Sequence, residues 1–310
     1  MGLFTNFKKL IQEEQTKWED DYKQYYNQAK KLESELRRVS TDYNQEVATI
    51  NSERSGLKEA IDNLYKFLKE FGNIGDKITP FDFVNESWKT IDIDSPLDRS
   101  NDIDTGDTKN GMGDKVAFAS ILLLAPTLAP VSIIPAIIQR NKSKKEYESL
   151  VSKHEEAITN YSNNLEKYKD AIKTIKLAVE IANTYYTTIC TVKEAIRNTI
   201  LPELVGVRAF LYAKSIAEKV AYNEDLAMSV QPADIVELQN TRYNEHYIFL
   251  NNTVDYYFLI VEFFTKKILT NMLEDSVISE KEKRDFEQQI KCVKEKSSAV
   301  KEHLTFIKEN

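Results

Sequence analysis

The side chains that could carry chemistry in this 310-residue chain are three histidines, two cysteines and an aspartate-rich tract. His154, His246 and His303 lie far apart, whereas a metal centre or an acid–base site needs each ring beside a second ligand or an orienting carboxylate. His154 falls on a helical seam and His303 beside one, so both read as packing or surface rings rather than as ligand or base. Cys190 and Cys292 are too few for a disulfide framework and read as inert thiols on helices. The tract DIDSPLDRSNDIDTGDTKNGMGD lacks the Asp-x-Asx-x-Asx-Gly series and closing Glu of a calcium loop. None of the eight glycines forms GxGxxG or GxxxxGK. No catalytic constellation emerges, so the sequence predicts no enzyme, no cofactor, no metal site and no small-molecule substrate.

A different kind of signal stands out. Val116 to Ile138 reads VAFASILLLAPTLAPVSIIPAII, without one Asp, Glu, Lys, Arg or His in a chain that is 29% charged. Its large apolar residues are Val116, Phe118, Ile121, Leu122, Leu123, Leu124, Leu128, Val131, Ile133, Ile134, Ile137 and Ile138, punctuated by Pro126, Pro130 and Pro135. At roughly 1.5–3 kcal/mol per large side chain, burying them is worth on the order of 20–35 kcal/mol before entropy. Left in water, such a surface would aggregate. The block therefore belongs in a protein core, in a partner or in lipid.

The elements around it are helical. Only eight Gly and seven Pro interrupt the chain. From Trp18 to Phe71 apolar residues alternate steps of four and three, with one lengthened step between Tyr43 and Val47 and only Arg54 as a polar occupant. That spacing predicts a heptad helix with a stutter, ~80 Å long at 1.5 Å per residue. Gly56 is a candidate bend, and Gly72 and Gly75 are stop signals. A second run, Tyr147, Val151, His154, Ile158, Tyr161, Leu165, Tyr168, Ile172 and on to Ile200, has a matched span and ends at Pro202. Two rods of equal length most simply fold back as an antiparallel hairpin with the insertion at one tip. Shorter helices are expected over 207–225, 233–274 and 279–308, the last opened by a Ser279–Glu282 capping box. The expected organisation is a heptad helix over 1–72, an acidic mobile linker over 73–115, the apolar segment 116–138 and a helical bundle over 139–310 that begins with a helix over 141–201. The fold class is thus all-α, an elongated antiparallel helical bundle or coiled coil with an apolar tongue between two long helices.

Three readings of the block compete. As one helix it would be ~34 Å long, enough to cross a hydrocarbon core. The basic residues Arg140, Lys142, Lys144 and Lys145 would then hold its C-terminal end on the cytoplasmic side. As a hairpin it has arms 116–125 and 131–138 around a Pro126–Pro130 turn, too short for spanning helices. As permanent core it is tucked against the bundle. A smaller signal lies at the start of the chain. Leu3, Phe4, Phe7, Leu10 and Ile11 share one face with Lys8 and Lys9 beside them, which suits an interfacial helix or a cap on the bundle. A net charge of −7 argues against nucleic acid. The charged start MGLFTNFKKLIQEEQ predicts cytoplasmic synthesis without a cleavable signal, and Asn6 stands where a myristoylation motif would have Ser or Thr.

With its rods Trp18–Phe71 and Tyr147–Ile200, its block Val116–Ile138 and its amphipathic start Leu3–Ile11, the chain resembles in layout the ClyA-type α-helical pore-forming toxins. That resemblance implies a protein released without a cleaved signal, which shields an apolar tongue, inserts it at a target bilayer and assembles into homo- or hetero-oligomers. One long helix precedes the block and an acidic linker is added, which suits one component of a multi-part system. The competing expectation is a membrane-tethered coiled-coil scaffold inside the cell that opens no pore.

Overall fold

The computed structural model describes residues 2–71, 74, 77–81, 144–217, 239–265 and 280–309. Among these residues there is no strand. The helices are α1 (Gly2–Lys69), α2 (Lys144–Ala195), α3 (Leu201–Ala217), α4 (Asn244–Thr265) and α5 (Glu280–Glu309). The chain divides into two compact units. Unit 1 comprises Met1–Asn44, Lys89–Val179 and Asn271–Ile278; unit 2 comprises Gln45–Trp88, Glu180–Thr270 and Ser279–Asn310.

In unit 1 the first part of α1 packs along the first part of α2. The apolar stripe on α1 is buried as its spacing predicts, with Trp18, Tyr25, Ala29, Leu36, Val39 and Tyr43 all under a tenth exposed. The direction of the pairing differs from expectation. Glu14 meets His154, Trp18 meets Tyr161 and Glu35 meets Lys176, so partner numbers rise together. The helices run parallel, offset by 140 residues at Glu14–His154 and 141 at Glu35–Lys176. The predicted antiparallel hairpin is therefore wrong for this pair. Matched rod lengths fix no direction, because a heptad stripe fills a partner's stripe in either sense. A Glu53→Cys/Lys193→Cys variant, with Cys190 and Cys292 replaced by Ser, should cross-link within one chain through a short bis-maleimide. An antiparallel pair would leave the two thiols unlinked.

The α2 seam is also shifted by one position. Ile158, on the predicted stripe, is 42% exposed, whereas Leu150, Ala157, Asn164 and Ala171 are buried beside His154, Tyr161, Tyr168 and Ile175. Small residues alternate with rings there, and the rings opposite need that room: Tyr25 stacks on Tyr161 at 4.4 Å.

Unit 2 is built from the rest of α1, the end of α2, and α3, α4 and α5. Leu57, Ile61, Leu64 and Leu68 on α1 and Ile189, Ile196 and Ile200 are all fully buried. Lys193 pairs with Glu53, Arg197 with Glu59 at 2.9 Å and Arg208 with Glu70 at 2.7 Å, so this pairing is parallel too. Helix α4 runs the other way, Tyr185 meeting Phe263 while Phe210 meets Tyr243. Helix α5 is antiparallel to α4, Glu262 pairing with Lys296 and the Asn252 carbonyl accepting from His303 at 2.9 Å. The predicted polar seam position Ser297 is buried against Thr188, 2.7 Å away. Thr188 spends its own hydrogen on the Thr184 carbonyl at 2.8 Å, so Ser297 donates.

Pro202 does not end the second rod. Residues Ile196–Ile200 form a π-helical turn in which the Leu201 N–H bonds the Ile196 carbonyl, and α3 continues from Leu201. The extra residue of that turn opens the ladder where proline lacks a donor and its ring would crowd the preceding turn, and Pro202 sits in the first turn of α3. Helix α4 starts at Asn244 rather than near residue 233. Asn240 there adopts a left-handed φ of 61°. Its N–H is caught by the Asn244 side chain at 3.3 Å, an asparagine-capped turn that residue periodicity does not reveal.

The first residues of the predicted mobile linker are packed instead. Ile74, Ile78 and Phe81 are buried in unit 2, and the Tyr257 hydroxyl donates to the Thr79 carbonyl at 2.6 Å. Residues 82–143 lie outside the described set, as do Gly72, Gly75, Ser279 and residues 218–238 and 266–279.

Candidate functional site

The most concentrated polar chemistry lies in unit 1, between α1 and α2. The His154 ring stacks on Trp18, centroids 5.4 Å apart and planes 17° from parallel. Its Nδ1 lies 2.7 Å from Glu14 Oε1 and its Nε2 3.0 Å from Asp21 Oδ2. Glu14 and Asp21 are one heptad apart on α1 and flank Trp18, so helical geometry alone aims both carboxylates at whatever ring sits over the indole. For both contacts to be hydrogen bonds with carboxylates, both ring nitrogens must carry hydrogen, and that form is the imidazolium. His154 is 4% exposed and Glu14 8%, so the ring and the carboxyl group face each other largely out of water.

The surroundings complete the cluster. Lys17 bridges to the other Glu14 oxygen at 3.4 Å. The Trp18 Nε1–H donates to the Tyr161 hydroxyl at 3.3 Å, and Tyr22 and Tyr25 pack against the same ring. Burial pushes the Tyr25 and Tyr161 phenols up, and lifts Tyr168 to about 12, so these groups are neutral packing surfaces rather than bases. Burial also pushes the Glu14 carboxyl up, yet the His154 bond and the charges of Lys17 and His154 outweigh it and hold the group below its ordinary value. A carboxyl depressed by folding contributes stability above its unfolded value and loses it as pH falls through the lowered one. Thermal melts should therefore show unit 1 weakening in acid, below the ordinary value of 4.5, with a shallower acid slope in a Glu14→Gln variant.

This constellation can hold two helices together. It lacks a nucleophile, and its ring nitrogens are both engaged by carboxylates. Sequence reading placed His154 on the seam but missed Glu14 and Asp21; their seven-residue spacing was the available signal, and only the parallel register brings it to His154.

The predicted membrane residues fare differently. Val116, Phe118, Ile121, Leu122, Leu123, Leu124, Pro126, Leu128, Pro130, Val131, Ile133, Ile134, Pro135, Ile137 and Ile138 all lie outside the described residues, as do Arg140 and Lys142 and the side chains of Leu3 and Phe4. Phe7, Leu10 and Ile11 are half-buried on α1, with Lys8 and Lys9 exposed beside them. Lys144 and Lys145 open α2 and are exposed. Among the described residues no helix is long and apolar enough to cross a membrane, and no group of side chains could hold a metal ion. No family model, curated protein or solved structure matches the chain.

Proposed function

We propose that the protein acts at a lipid bilayer by inserting the apolar segment Val116–Ile138, as a pore-forming or permeabilising component that assembles with further copies or with partner subunits and performs no catalysis. The observation that carries this reading is the charge-free run of 23 residues inside a chain that is otherwise rich in charge. Water, the usual neighbour of a helical surface, is the worst environment for it. The layout resemblance to ClyA-type toxins points the same way.

The pairing of α1 with α2 bears on how insertion would proceed. A single crossing by the segment would place Glu14 and His154 on opposite faces of the membrane and break a contact of 2.7 Å. With the pair intact, the segment must enter and leave on one side, as a re-entrant hairpin turning at Pro126–Pro130. Inside lipid its backbone groups then need helical or paired partners, which neighbouring copies can supply. The protein acts as a released component that reaches its target membrane from outside.

Dye release from liposomes by purified protein tests the proposal, with Leu123→Asp alongside and sedimentation of both. Leakage by the parent, lost in a folded variant, is the expected result. Binding without leakage would favour a tethered scaffold or one part of a multi-component pore, and an absence of both would remove the membrane reading.

A further inference from the structure

The two units differ in what they bury. Among the described residues, the buried acids and the buried histidine, Glu14, Glu33 and His154, all lie in unit 1, together with Ser40, Asn164 and Thr174. The buried polar residues of unit 2 are Thr188, Thr253 and Ser297, three hydroxyls that carry no charge. The apolar parts differ as well. Unit 1 closes α1 on α2 with the rings of Trp18, Tyr25, Tyr161 and Tyr168, set among Ala29, Ala157 and Ala171. Unit 2 stacks branched aliphatic residues from several helices, and Leu57, Leu64, Ile196, Leu204, Leu250 and Ile260 are all 0% exposed. Unpartnered polar atoms do not set the units apart, since Gln15 and Ser40 in unit 1 are matched by Asn252 and Tyr256 in unit 2. A charged group in a seam holds two helices less firmly than aliphatic packing of the same volume, because its attraction must first offset the water it gave up. Across the unit 1 seam the contacts at stake are those of His154 with Glu14 and Asp21. Glu33 pairs with Arg37 on its own helix at 3.1 Å, a pair that α1 keeps whether or not α2 lies beside it.

We infer that the α1–α2 seam of unit 1 is the part of the protein that opens, while the core of unit 2 stays closed. Opening serves the membrane reading above, on which its purpose rests; its location follows from the buried groups alone. The start of α2 follows the apolar segment in the chain and is clamped to α1 through His154. Parting the seam therefore releases the helix end to which that segment is tied. Unit 2 meanwhile holds Glu53 against Lys193 and Glu59 against Arg197, which keeps both helices on one side of a bilayer.

Hydrogen exchange of the full-length protein, read by mass spectrometry without vesicles, tests the location. Amides of 18–43 and 150–178 should exchange at least about tenfold faster than those of 57–68 and 189–211, because a local opening lies below the global one in free energy. Equal rates in the two sets, or slower exchange in unit 1, would overturn the inference. Two locks in a Cys190→Ser/Cys292→Ser background test the purpose. Glu35→Cys/Lys176→Cys is bridged in unit 1 and Glu53→Cys/Lys193→Cys in unit 2, each by a bis-maleimide with a reducible centre. The unit 1 lock should abolish dye release from liposomes, with recovery on reduction, and the unit 2 lock should leave release unchanged. Release that survives the unit 1 lock, or that is lost equally under both locks, would overturn opening as a step of insertion. A parent that releases no dye would remove the membrane reading, and the exchange rates would still decide where the molecule opens.

Discussion

Replacing His154 with alanine is expected to destabilise unit 1 by about 3–5 kcal/mol, the cost of leaving a buried charge without its partner. Glu14, 8% exposed, would lose the ring 2.7 Å away and keep only Lys17 at 3.4 Å. The alanine also leaves a void against Trp18, which now stacks on the ring at 5.4 Å. Urea denaturation followed by Trp18 fluorescence measures the loss, in a Trp88→Phe background that leaves one tryptophan. The control is the combination Glu14→Gln/Asp21→Asn/His154→Leu. Removing every charge together should recover most of the stability, because paired buried ions gain little over packed neutral groups. If the single alanine costs under about 1 kcal/mol, Glu14 and His154 do not form the buried pair described here.

Ile189→Ala is expected to cost about 2–5 kcal/mol, and Ile158→Ala under about 0.5 kcal/mol. The two isoleucines share α2 and the same predicted stripe, yet Ile189 is fully buried and Ile158 is 42% exposed. Around Ile189 the helix faces several partners at once, through Tyr185 against Phe263 and Phe264 and through Thr188 against Ser297. At Ile158 the seam has rotated one position toward Ala157. Equal costs at the two sites, measured by denaturation of each variant, would contradict that rotation.

Those two residues also show how much was legible in the sequence. Heptad spacing identified α1 almost to its ends and nearly every residue of its buried stripe, because one dominant apolar face leaves a helix few choices. It located α5 and its polar seam residue Ser297 for the same reason. Along α2 two adjacent stripes compete, Ile158 and Leu165 against Ala157 and Asn164, and apolarity alone favours the wrong one. What decides is the room that rings on the partner need, which is a property of two helices and not of one. Direction was illegible on the same ground. The π turn before Pro202 and the asparagine turn before α4 are backbone solutions to local conflicts, and periodicity carries no trace of either. The candidate site was half visible: His154 lay on the stripe, but its carboxylates come from 133 and 140 residues away and needed the parallel register to be seen.

The central claim is that Val116–Ile138 enters lipid, and a fluorophore on that segment reports it most directly. With Cys190 and Cys292 replaced by serine, Leu123→Cys carries a single environment-sensitive label. On adding liposomes the label should shift to the blue and be quenched by brominated acyl chains, while an Ile158→Cys label on α2 stays accessible to aqueous iodide. A Leu123 label that remains open to iodide and untouched by brominated lipid, on vesicles that have bound the protein, would contradict insertion of the segment.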